Sequence, residues 1–134
     1  MGTIFTKIIK REVPAYIVAE DDKNIAFLDI RPLQKGHVLV IPKVEVDYYF
    51  DLADTTIAEM MVFAKKVARA LKLAVPCTRI GVAVVGLEVP HAHIHLVPLN
   101  HENDISFSNP RRSFSDDELA ALATQIKDQI ATTS

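Results

Sequence analysis

Three histidines fall within five residues, in the run His91-Ala92-His93-Ile94-His95-Leu96-Val97. Imidazole titrates near neutral pH, ligates metals and can attack phosphorus as a nucleophile. What the run can do depends on its backbone. On a helix, His91 and His95 would share a face and His93 would point elsewhere. On a strand, all three point one way while Ala92, Ile94 and Leu96 point the other. The polar and apolar residues alternate with period two, and Pro90 and Pro98 bracket the run. A strand beginning near His91 is therefore expected, with three imidazoles in a row and their apolar neighbours in the core.

Such a row suits two chemistries. In a metal site, same-face Cα atoms would stand about 6.6 Å apart and the outer pair about 13 Å apart, whereas zinc wants nitrogens at about 2.0–2.1 Å. Two of the three could share a metal if His37 or Glu88 supplied another ligand. Alternatively, an extended anionic substrate such as a phosphate chain could lie along the row. Spacing alone leaves both open.

The elements that must position the row can be read from punctuation and period. Thr3 can cap a helix over Ile4 to Lys10, ended by Pro14. Strands are expected at Ala15–Ala19, Ile25–Ile30, His37–Ile41, Ile80–Val85 and from His91 to Leu99, with Glu20 to Asn24 as a hairpin turn. The strongest helical period runs from Thr55 to Leu73, with Asp54 as its cap. Ser115-Asp116-Asp117-Glu118 reads as a capping box opening a last helix that ends near Ile130. These elements predict an α+β fold: a mainly antiparallel five-stranded sheet, one long core helix, and short helices flanking it on one face.

The 134 residues suit a single domain, with a motif-bearing core at about 5–100 and a helical tail at about 113–131. Nothing in the net charge of −2 favours nucleic acid, which calls for a clustered basic surface. The one cysteine, Cys77, excludes an intramolecular disulfide, and no apolar run is long enough to span a membrane. With no apolar leader at the N-terminus, a cytoplasmic protein is expected. Arg111 and Arg112 could reach a phosphate, but their place in a polar tail favours solvation.

The histidine run resembles the His-x-His-x-His-x-x motif of the histidine triad family. Phe5 to Ile9, Glu20-Asp21-Asp22, Ala26-Phe27-Leu28-Asp29-Ile30, Pro32 and Gly36-His37-Val38-Leu39-Val40-Ile41-Pro42-Lys43 resemble the family's N-terminal half in order. The likeness is greatest to its nucleoside phosphoramidase branch or a bacterial relative. It implies a nucleotidyl hydrolase or transferase that forms a covalent nucleotidyl-histidine. His93 would be the nucleophile, His91 its support, His95 a phosphate contact and His37 a fourth pocket histidine. Asp29 would take the ribose hydroxyls, and Ile8, Phe27 and Leu28 would line the base pocket. It further implies a purine nucleotide substrate, a homodimer and no required cofactor, with zinc left as a lesser alternative. A dinucleoside polyphosphate hydrolase and a weakly catalytic nucleotide-binding module are the competing readings. Glu88 departs from the branch, which tends to have a serine or threonine near the leaving group. The last helix is also unlike the branch's short tail, and is expected to cover the pocket or extend a dimer contact.

Overall fold

The computed structural model describes residues 2–133. Five strands, β1 (Ile17–Glu20), β2 (Asn24–Leu28), β3 (Val38–Pro42), β4 (Arg79–Ala83) and β5 (Ile94–Leu99), form an antiparallel sheet in the order β1-β2-β3-β5-β4. Three α-helices accompany it: α1 (Ile4–Ile9), α2 (Asp54–Ala74) and α3 (Asp116–Thr133). The architecture is the α+β fold expected from the alternation of short strands with one long helical period.

The sheet is covered on both faces. Ala26, Leu28, Val38, Val40, Ile94 and Leu96 pack with α2 and α3. Their neighbours Ile25, Phe27, Leu39 and Ile41 pack with Phe5 and Ile8 of α1. The helices therefore do not share one face as expected. Nor is α3 short: its 18 residues lie beside α2, with Leu119, Leu122, Ala123 and Ile126 buried. An i, i+3, i+4, i+7 apolar stripe needs one groove to fill, and α2 with β1 supplies it. Because α3 lies on the face away from the histidines, it does not cover their pocket.

Local chemistry sets the ends. The Thr3 hydroxyl accepts from Thr6 N at 3.2 Å and opens α1. Arg11 sits in the left-handed region (φ 62), while Glu12 N donates to Lys7 O and Arg11 N to Ile8 O. This is a Schellman closure made without glycine. In the β1–β2 turn, Asp21 Oδ1 accepts from Lys23 N and Asn24 N. Ser115 and Glu118 form the reciprocal capping box of α3. For α2, however, the cap is Ala53, with no side-chain bond, and Asp54 is the first helical residue. There its charge still complements the helix dipole.

Gly36 turns the chain immediately before β3. Its φ is 88, and a Cβ there would meet Val75 Cγ2 at 2.9 Å and Leu71 Cδ1 at 3.0 Å. Only glycine fits this conformation and this approach to α2. The turn delivers His37 to the start of β3.

Candidate active site

The histidine run splits as its period predicts. Ala92, Ile94 and Leu96 enter the core under α2, and His91, His93 and His95 face the α1 side, all buried. The strand, however, begins at Ile94 rather than near His91. The β3–β5 ladder reaches only Val40↔Ile94. Beyond it, Pro42 has no N–H to donate, so the lead-in is tied differently. Ala92 N donates to Val46 O, and His91 Nε2 lies 2.8 Å from Pro42 O.

These ties assign protons. Carbonyl oxygens only accept, so His91 carries a proton on Nε2 toward Pro42, and His93 carries one on Nδ1 toward His91 O at 2.7 Å. The neutral His93 is left with an unprotonated Nε2, the form that can attack. The His91 side chain thus anchors a peptide whose carbonyl orients His93.

A second pair is built from the other end of the sheet. Leu39 pairs with His95, which brings His37, two residues earlier on the same face, diagonally beside it. Leu33 N donates to His37 Nδ1 at 3.0 Å, so the neutral His37 is protonated on Nε2. That nitrogen lies 2.9 Å from His95 Nδ1 and donates to it. His95 is therefore protonated on Nε2, a hydrogen-bond donor. One backbone amide sets the tautomer of both rings.

Burial disfavours the charged form of three of these rings. It pushes His37 and His95 down to about 3, assisted by the positive charge of Arg111. Burial also lowers His93, although its bond to the His91 carbonyl opposes the shift. Phe5 packs edge-on against His91 and His93, and Phe107 against His95 at 4.7 Å between ring centres.

A cavity of about 410 Å³ has Phe5, the ring packed on His91 and His93, in its wall together with Ile8, Phe27, Leu28, Asp29 and Glu88 among others; no histidine lines it directly. The five residues expected to bind substrate thus meet at one cavity. Leu28 does so from the edge, since its side chain packs in the opposite core. Asp29 Oδ1 accepts from Arg31 N at 2.8 Å. Burial raises the Asp29 pKa, while the Arg31 amide and the nearby Arg111 oppose the rise. Glu88 is 82% exposed at the mouth.

Arg111 lines the same cavity, contrary to its reading as solvated tail. Its Nη1 donates to Arg31 O at 2.6 Å and stands 3.6 Å from Asp29 Oδ2. Its Nη2 stands 3.7 Å from Glu88, and its guanidinium lies 5.6 Å from the Phe107 ring centre. The sequence favours solvation over a phosphate contact here because nothing in a polar loop reports an 80-residue reach to Arg31.

Among the described residues, Asp29, His37 and His95 are the one group that could hold a metal, with ligand atoms within 4.8 Å of one another. Both His37 nitrogens are already engaged, by Leu33 N and His95 Nδ1. A cation would have to break the bond between the two rings. Only one of the three triad histidines belongs to this group.

Residues 10–102 match the HIT domain model. The chain belongs to the HIT family. An adenosine 5′-monophosphoramidase of Schizosaccharomyces pombe is 33% identical over 132 residues, spanning 97% of this chain and 99% of that one. The crystal structure of a HIT-like protein of Bartonella henselae is 30% identical, covers 95% of both chains and superposes with a TM-score of 0.82. A zinc-bound histidine triad family protein of Mycobacterium smegmatis is 27% identical, covers 96% of this chain and 93% of that one, and has a TM-score of 0.83. No described helix of this HIT protein is long and apolar enough to cross a membrane.

Proposed function

We propose that this HIT-family enzyme releases a purine nucleoside monophosphate from a phosphoramidate through a covalent intermediate on His93. The observation that carries the reading is the His93 Nδ1–His91 O bond, which leaves Nε2 as a buried, unprotonated nucleophile on a ring packed against Phe5, part of the cavity wall. The phosphoramidase activity named for the Schizosaccharomyces pombe relative supports it. His93 Nε2 attacks the α-phosphorus, a new P–N bond forms, and the P–N bond to the leaving amine breaks. The amine departs with a proton drawn from solvent at the open mouth, and the water of the second step returns one to solvent. Water then attacks the phosphorus, breaks the bond to His93 and releases the monophosphate.

Around this step each residue has a place. The Nε2–H of His95 donates to the phosphoryl oxygens, and such fixed donors are a major source of transition-state stabilisation. His37 holds His95 in the required tautomer. Asp29 accepts from the ribose hydroxyls, and Phe27 and Ile8 enclose the base. The chemistry needs no metal.

The active form is a homodimer in this reading. β4 is a free edge of the sheet, and Val82, Val84, Val85 and Leu87 on and beyond it are 40–88% exposed. An exposed apolar edge strand calls for a partner strand, and a second copy supplies one with the same composition.

The test is hydrolysis of an adenosine phosphoramidate, with chelator present, by the wild type and by His93→Ala. Turnover that disappears in His93→Ala supports the reading. A folded wild type that binds adenosine monophosphate without turning over the phosphoramidate contradicts it and favours a nucleotide-binding module.

A further inference from the structure

We propose that Arg111 is a further substrate-binding residue, its guanidinium gripping the transferred phosphoryl group. The inference rests on reading the cavity as the nucleotide site, and it concerns a residue outside the histidine run, on the loop that precedes α3.

Arg111 stands between Asp29 and Glu88, at 3.6 Å from one and 3.7 Å from the other. In the proposed function Asp29 takes the ribose, and the family resemblance sets Glu88 near the leaving group. In any nucleotide conjugate the phosphoryl group is covalently between ribose and leaving group. A bound substrate therefore carries its phosphate past Arg111.

The second argument is hydrogen-bonding capacity. A guanidinium has five N–H donors. Among the described residues, the Arg31 carbonyl is the one acceptor within hydrogen-bond distance of Arg111. Both carboxylates stand too far for direct bonds. The loop does not need Arg111 as its tether either. Arg112 already ties it to the Pro32–Leu33 segment, with its N on Pro32 O at 2.8 Å and its Nε on Leu33 O at 3.2 Å. The remaining donors of Arg111 suit the bidentate grip that phosphate takes from arginine.

The third argument is charge. A phosphate entering between two carboxylates is repelled by both. His37 and His95 are held neutral by burial, so they offer dipoles but no positive charge. Arg31, the other cation on the cavity lining, is exposed, whereas the Arg111 side chain is 19% exposed. Arg111 is the sheltered cation that makes the path tolerable to an anion.

The experiment compares adenosine monophosphate with adenosine, which lacks the phosphate. Affinities are measured by calorimetry for the wild type, Arg111→Ala, Arg111→Lys and Glu88→Gln. Arg111→Ala is expected to weaken monophosphate binding about tenfold or more, as loss of a charged hydrogen bond does, and to leave adenosine binding unchanged. Arg111→Lys, which keeps the charge and loses the fork, falls between. Glu88→Gln, which removes one of the two carboxylates that repel the anion, tightens monophosphate binding. In turnover, Arg111→Ala raises KM for the phosphoramidate. Equal losses for both ligands in Arg111→Ala and Arg111→Lys would show a structural role and overturn the proposal, as would unchanged binding of both ligands. A wild type that binds neither ligand would overturn the nucleotide-site reading itself, and with it this one.

Discussion

The two faces of the sheet divide one short run of chain between two tasks. On the α2 face, Ala92, Ile94 and Leu96 are all but fully buried in an apolar core closed by two helices. On the α1 face, His91, His93 and His95 are nearly as buried, yet every ring has a hydrogen-bond partner. The first face needs only volume and apolar area. The second needs acceptors and donors at fixed points, and it draws them from Pro42, His91 itself, Leu33 and His37. The difference teaches where each face should fail. Changes on the apolar side cost stability, and changes on the histidine side cost chemistry.

The largest expected effect is on the histidine side. His93→Ala should lower kcat by about 10³-fold or more, the scale of losing a covalent nucleophile, while circular dichroism shows a retained fold. Ile94→Ala, its neighbour pointing the other way, should cost about 2–5 kcal/mol in denaturant unfolding, with kcat per folded molecule unchanged. A swap of these outcomes would mean that the two faces are misassigned.

A smaller effect sharpens the contrast through pH. His37 and His95 are held well below the ordinary imidazole value of about 6.5. Between that value and about 3, the unfolded chain binds protons that the folded chain refuses. Stability is then full above about pH 6.5 and falls as pH drops, by up to about 1.4 kcal/mol per pH unit for each ring. His37→Gln should flatten the curve in urea titrations across this range, and an equal slope in the variant would contradict the burial of a neutral ring. The smallest effect is Ser115→Ala, which removes the α3 cap. It should cost about 1 kcal/mol by thermal unfolding and leave turnover untouched, because α3 lies on the apolar face.

The period-two run, the helical stripe of α2 and the Ser115–Glu118 box were legible because each is a local pattern. The meeting of His37, Asp29 and the triad was legible through motif resemblance, and the β3–β5 register supplies its physical cause. Three things were not legible. The strand starts at Ile94 because of what Pro42 cannot donate, a property of the partner strand. Arg11 closes α1 in a left-handed conformation that no glycine announces. Arg111 reaches the site from beyond β5, and tertiary folding alone decides where its guanidinium rests.

The central claim is that His93 is the attacking atom's owner. The direct test is to mix the wild type with an adenosine phosphoramidate, quench within the first turnover and locate any adduct by peptide mass spectrometry. The account predicts an adenylyl group on His93 that disappears on longer incubation and never forms in His93→Ala. Turnover with no adduct, or an adduct on another histidine, would contradict it.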